Sequence, residues 1–200
     1  MIALMKETIK SKLRETKKEL VLDALSEIFE QSGFGNPRMQ EIAESVGISV
    51  GALYKLFPSK DALLYEYITH EIRRFRETLL QRSALLHSPE ERLILFIALK
   101  FETFARKRRA FEDPILGDPL FFFKMNIRRE SPIRPIAEYL AEQFALLNDE
   151  KQIPCRDCLL AAYLLNGYVT GYIEHWYNEG IEPDESPEAI FRRFLRGMMP

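Results

Sequence analysis

The chain has 200 residues, 46% hydrophobic and 29% charged, with a formal net charge of −2. This balance suits a folded globular protein with its own core and argues against a disordered chain. Charges interrupt every apolar run before it reaches about 18 residues, which argues against a membrane-spanning helix. The opening "MIALMKETIKSKLRETKKEL" also lacks the apolar core and small-residue cleavage site of a secretory signal.

A cytoplasmic location with no membrane partner is therefore expected. The near-zero net charge hides a local asymmetry, because Lys6, Lys10, Lys12, Arg14, Lys17 and Lys18 make the first segment basic. A local patch of this kind is enough to attract nucleic acid. Leu20, Val21, Ala24, Leu25, Ile28 and Phe29 then repeat at helical spacings and form one apolar stripe. "QSGFGN" ends that helix, with Gly33 in the left-handed C-terminal position. A second helix is predicted from "NPRMQE", where Asn36 caps the free N–H groups and Pro37 occupies the first turn.

The stretch "MQEIAESVGISVGALYKLFPSK" breaks its own helical pattern at a glycine. Two short helices joined at "VGI" explain the break. Ala43 is small enough for a crossing helix to approach, and Gly47 takes positive φ without a Cβ clash. Ile42, Ile48, Leu53 and Phe57 then face inward. The result is a helix-turn-helix whose second helix, roughly Ser49 to Phe57, is available to a DNA major groove. It exposes Ser49, Val50, Gly51, Ala52, Tyr54 and Lys55. The small residues permit close approach, Ser49 suits a phosphate oxygen, and Tyr54 and Lys55 reach phosphates or a guanine edge. Lys60 adds a cation at the start of the next helix.

That next helix begins at Ser59 and carries Leu63, Tyr67, Ile68, Ile72, Phe75 and Leu79. "SPEERLILF", "SPIRPIAEYL" and "SPEAIFRRFL" repeat a Ser cap with Pro just inside, which starts helices near Ser88, Ser131 and Ser186. "RKRR" at 106–109 reads as a solvated helix face. "FEDPILGDPLFFFKMNIRRESP" reads as short helices and turns. Cys155 and Cys158, in "CRDC", are placed three apart on one helical face as ordinary thiols without a second metal-binding cluster. Leu159 to Trp176 forms a long helix closed by Gly180. Strand signals are weak, so the expected fold class is all-α.

On the long helix Leu160, Leu164, Gly167 and Gly171 lie near one another, and the two glycines let a partner helix approach. With Ile190, Phe191, Phe194 and Leu195 of the last helix they are expected to form a two-fold, four-helix dimer interface. Such a dimer requires a roughly palindromic operator, with recognition helices about 34 Å apart or a multiple of that. Aromatic density between helices is enough to line an apolar pocket. The candidate ligand set is Phe101, Phe104, Phe121, Phe122 and Tyr139, with polar contacts from Tyr168, Tyr172 and His175. His70, His87 and His175 are scattered, and neither an HExxH motif nor a Gly-rich phosphate loop occurs. No catalytic residue, metal ligand or cofactor is expected.

The string Ile42-Ala43, Gly47-Ile48-Ser49, Gly51, Leu53-Tyr54, Phe57, Ser59-Lys60 and Leu63 resembles the DNA-binding region of the TetR family of transcriptional regulators. The preceding "VLDALSEIFEQSGF" fits the same resemblance over about residues 19–65. Two positions depart from the pattern. Pro37 and Arg38 stand where the family usually has Thr, so Arg38 would replace its phosphate contact. Leu56 stands where His or Tyr often precedes the Phe, which removes a phosphate donor. The resemblance implies a helix-turn-helix domain at 1–62 and a ligand-binding and dimerisation domain at 63–200. It further implies a homodimer on a double-stranded DNA operator, most often a repressor that an effector molecule releases. The rival readings are a helical adaptor whose helix-turn-helix contacts protein, and a small helical enzyme.

Overall fold

The computed structural model describes residues 2–32, 37–108, 131–149 and 155–198, and every regular element longer than one residue among them is an α-helix. In chain order these are α1 (Ile2–Ser32), α2 (Met39–Ser45), α3 (Val50–Leu56), α4 (Lys60–Ser83), α5 (Pro89–Lys107), α6 (Arg134–Asp149), α7 (Cys158–Glu179) and α8 (Pro187–Met198). The all-α expectation holds. The "FEDPILGD…" segment, Gly33 and Asn36 lie outside the described residues. Two compact units divide the rest: 2–32 and 37–73 with 107–108, and 74–106 with 131–149 and 155–198.

The first unit is built on one apolar cluster. Val21, Leu22, Leu25 and Phe29 of α1 meet Met39, Ile42 and Ala43 of α2, Leu53 of α3, Phe57, and Leu63, Leu64 and Tyr67 of α4. Each large side chain buried there stabilises the fold by about 1.5–3 kcal/mol relative to exposure. The Phe29 and Tyr67 rings meet edge to face at 5.1 Å. Leu20, expected in the α1 stripe, is instead exposed, because the buried arc of the helix is centred on Leu25 and Phe29. The helix also starts far earlier than its apolar repeat, at Ile2, through a segment of strong helix formers.

Polar contacts fix α1 against α4. Lys18 Nζ lies 2.7 Å from Glu66 Oε1, and His70 Nε2 lies 2.9 Å from Asp23 Oδ1. Lys107, at the end of α5, is buried in the same unit. Its ammonium pairs with Glu71, lies 3.2 Å from Glu30 Oε1, donates to Ser26 Oγ at 3.0 Å and sits over the Tyr67 ring. This corrects the reading of "RKRR" as a solvated face: Arg106 is exposed, but Lys107 is an internal cation matched by two carboxylates.

In the second unit the caps set the helix starts. Ser88 Oγ accepts from Glu91 N at 3.1 Å, and the Glu91 carboxylate accepts from Ser88 N at 3.0 Å. Ser88 N, together with His87 N at 3.1 Å, holds the Glu91 carboxyl below its ordinary pKa. Ser186 Oγ caps α8 through Ala189 N at 3.3 Å. α6 begins at Arg134 rather than beside Ser131, because 131–134 close a turn first (Arg134 N to Ser131 O, 3.0 Å). α7 is capped by Asp157, whose carboxylate accepts from Leu160 N at 2.9 Å. Cys155 therefore precedes the helix and Cys158 opens it, so the two thiols do not share a helical face; both are free. Gly180, at φ 72°, closes α7 as expected.

Candidate functional site

The helix-turn-helix is assembled by short local contacts. The Arg38 N–H donates to Glu41 Oε2 at 2.6 Å, so Arg38 becomes the N-cap of α2. Pro37 consequently stands before the helix and not in its first turn. Ala43 has no exposed surface, and its carbonyl accepts from Ile48 N at 2.9 Å. Gly47 turns the chain at φ 72°. A side chain there would meet no atom within 4 Å, so the requirement for glycine comes from backbone conformation alone.

α3 follows at once. Ser49 Oγ accepts from Ala52 N at 3.2 Å, which leaves the hydroxyl proton free to point outward. Leu53 is the inward anchor, with no exposed surface. Around it Ser49, Gly51 and Lys55 are exposed, Tyr54 is 49% exposed, and Val50 and Ala52 are half-buried. Arg38 is exposed and Lys60 half-buried. Gly51, Tyr54 and Lys55 thus sit on the side away from the core, whereas Val50, expected to be exposed, packs partly against it. One neighbour escaped the sequence reading: Arg14 Nη2 of α1 donates to the Lys55 carbonyl at 3.3 Å. The basic run that contains Arg14 was visible, but not which of its members reaches α3.

The second unit gathers part of the expected ligand set. Phe101 meets Tyr172 at 6.4 Å and Trp176 at 6.5 Å, while Phe104 is buried against Trp176 at 5.1 Å. Tyr168 lies 5.5 Å from both Tyr172 and Phe194. Burial, and then the Tyr168 hydroxyl, push the Tyr172 phenol up to about 12. The Tyr139 hydroxyl is buried with no hydrogen-bond partner among the described residues. His175 is exposed and joins none of these ring contacts; Phe121 and Phe122 lie outside the described residues. A cation missing from the sequence-based set borders the cluster. Lys100 Nζ donates to Asn166 Oδ1 at 2.9 Å and Thr170 Oγ1 at 2.8 Å, and burial lowers its pKa to about 8.

The expected partner-facing residues fall into two sets. Leu160 (53% exposed), Leu164 (51%), Gly167 and Gly171 form an open apolar face on α7. Ile190 and Phe191 have no exposed surface, and Phe194 is 7% exposed. These three fill the interior of their own unit, because the apolar face of α8 is spent on packing within the chain. Leu195 is half-buried.

Residues 21–67 match the family model for bacterial regulatory proteins of the tetR family. The likeness to that family is carried by this segment. An HTH-type transcriptional regulator of Mycobacterium tuberculosis strain H37Rv is 34% identical over 83 residues, 42% of this chain. The chain spans 41% of the length of that relative. UidR, an HTH-type transcriptional regulator of Escherichia coli K12, is 26% identical over 90% of this chain and 89% of its own. Among solved structures, the Thermus thermophilus FadR in complex with lauroyl-CoA has a TM-score of 0.64 at 22% identity, over 92% of this chain and 95% of its own. These relatives are named as transcriptional regulators, not enzymes. The matched segment 21–67 runs from the α1 core residues to Tyr67 of α4, and so contains the whole α2–α3 arrangement.

Proposed function

We propose that the protein is a homodimeric transcriptional repressor that binds a palindromic operator through α3 and leaves it when a small, largely apolar ligand binds the C-terminal domain. Residues 1–62 serve as the DNA-binding domain and 63–200 as the ligand-binding and dimerisation domain. The observation that carries this reading is α3 itself: a helix held to the core by Leu53, with Val50 and Leu56 packed partly against the same cluster, and with Ser49, Gly51, Tyr54 and Lys55 left facing outward. A helix built only for packing would not leave that side small and polar. Arg38, Ser49, Tyr54, Lys55 and Lys60 contact phosphates, while Val50, Gly51 and Ala52 allow close approach to the groove floor.

Phe101, Phe104, Tyr139, Tyr168 and Tyr172 supply the ligand site, and α7 supplies the dimer face. α4 contributes residues to both units, so a ligand that favours one tilt of it changes the separation of the two recognition helices. A coupling of about 1–3 kcal/mol shifts operator affinity by roughly 5- to 150-fold. Lauroyl-CoA, carried by the Thermus thermophilus neighbour, is the first effector to try. The test is selection of duplexes from a random pool by the full chain, followed by titration. Replacing Lys55 and Lys60 by Ala should weaken binding to all sequences and reduce the salt slope by about two per subunit. Binding that ignores salt and both substitutions would favour the helical adaptor instead.

A further inference from the structure

The N-terminal half of α1 is an exposed helix with two distinct stripes. At helical spacing Lys6, Lys10, Arg14 and Lys17 follow one another along one side, and Met5, Ile9 and Leu13 follow along the next. All seven side chains are exposed. The basic stripe does not begin at random on the surface. Its Arg14 guanidinium reaches the Lys55 carbonyl in the last turn of α3, so the stripe starts beside the proposed recognition helix and leads away from it. Lys10 and Lys6 lie about one and two turns further out, and each turn advances about 5.4 Å.

The cations also differ in what neutralises them. Lys18, one turn beyond Arg14, is paired with Glu66. Lys6, Lys10 and Lys17 have no ion-pair or hydrogen-bond partner for their ammonium groups among the described residues. Unpaired ammonium groups in a row, continuous with a major-groove reader, match a duplex that carries one negative charge per about 1.7 Å of its axis. We propose that this stripe of α1 is a second DNA-contacting surface, which grips the phosphate backbone next to the groove that α3 occupies. The inference rests on the reading of α3 as the recognition helix. It assigns the extension no base contacts, so it adds affinity and salt dependence without changing sequence preference.

The neighbouring apolar stripe makes an anionic membrane surface the rival partner, since a helix with basic and apolar faces also lies on lipid. The contact to α3 favours DNA. The test uses the full chain and the duplex that the wild type selects from a random pool, measured by fluorescence anisotropy across a range of salt. Lys6→Gln with Lys10→Gln should bind on the order of ten-fold more weakly at ~0.1 M salt, with a log–log salt slope shallower by about two per subunit. Its order of preference among sequences and its thermal melt should stay those of the wild type, and Lys6→Arg with Lys10→Arg should restore affinity. Trimming the DNA flanks should cost the wild type more than the Gln variant.

An unchanged slope for the Gln variant, on a duplex the wild type binds, overturns the inference and leaves the role of α3 standing. So does tight wild-type binding to phosphatidylglycerol vesicles that the variant loses while its DNA slope is unchanged. A wild type that selects no duplex sinks the DNA-binding reading, and this inference falls with it.

Discussion

Two lysines of α5, seven residues apart, show how little a residue type says without its partners. Lys107 is buried among Glu71, Glu30 and Ser26, so its charge is matched. Lys100 is enclosed among neutral oxygens of Asn166 and Thr170 and lies over the Phe96 ring, with the field of Glu174 also favouring its charged form. Burial therefore lowers its pKa from 10.5 to about 8. The native state then releases its proton before the unfolded chain does, so stability gains from Lys100 as pH rises from about 8 to 10.5. Lys100→Met should lack that gain, which is on the order of a few kcal/mol. Chemical denaturation of both proteins across this pH range provides the check, and parallel stability curves would show that the amine is not desolvated. Neither lysine announced itself in the sequence. Local periodicity marks a long cation as surface, and only contacts with α1, α4 and α7 reveal otherwise.

Among the helices, the legible features were those fixed by their own neighbours in sequence. The Ser caps at 59, 88 and 186 and the left-handed glycines at 47 and 180 are set by groups within four residues of one another. The inward anchors Ile42, Leu53 and Phe57 followed from spacing alone. Starts settled by competition were harder. Arg38, not Asn36, caps α2 because Glu41 closes back on it, and Asp157 caps α7 so that Cys155 is left outside the helix. The exposed α7 positions follow from their spacing, but which side α8 presents depends on how it packs. Gly47→Ala tests the turn between α2 and α3. No atom obstructs the added methyl group, so the cost should be the backbone term alone, about 1–2 kcal/mol, read as a lower unfolding midpoint. An unchanged midpoint would mean that the turn tolerates a side chain at positive φ.

For the molecule as a whole, the open α7 face is the feature that bears on assembly. Leu164 is half exposed and Gly167 and Gly171 are bare, so two copies can bring their backbones close there. Leu164→Glu should shift the protein from dimer to monomer in analytical ultracentrifugation and weaken operator binding, since each half-site is then held singly. A dimer indifferent to this charge would place the contact elsewhere. The aromatic cluster beside that face has a practical consequence. Trp176 is the sole tryptophan of the chain, and its indole is shielded against Phe104 in the second unit. Its emission is therefore a built-in lamp that illuminates one half of the protein and leaves the other dark. Titrating a candidate effector against this intrinsic fluorescence reads occupancy without a dye, and the absorbance of the operator can be kept out of the cuvette.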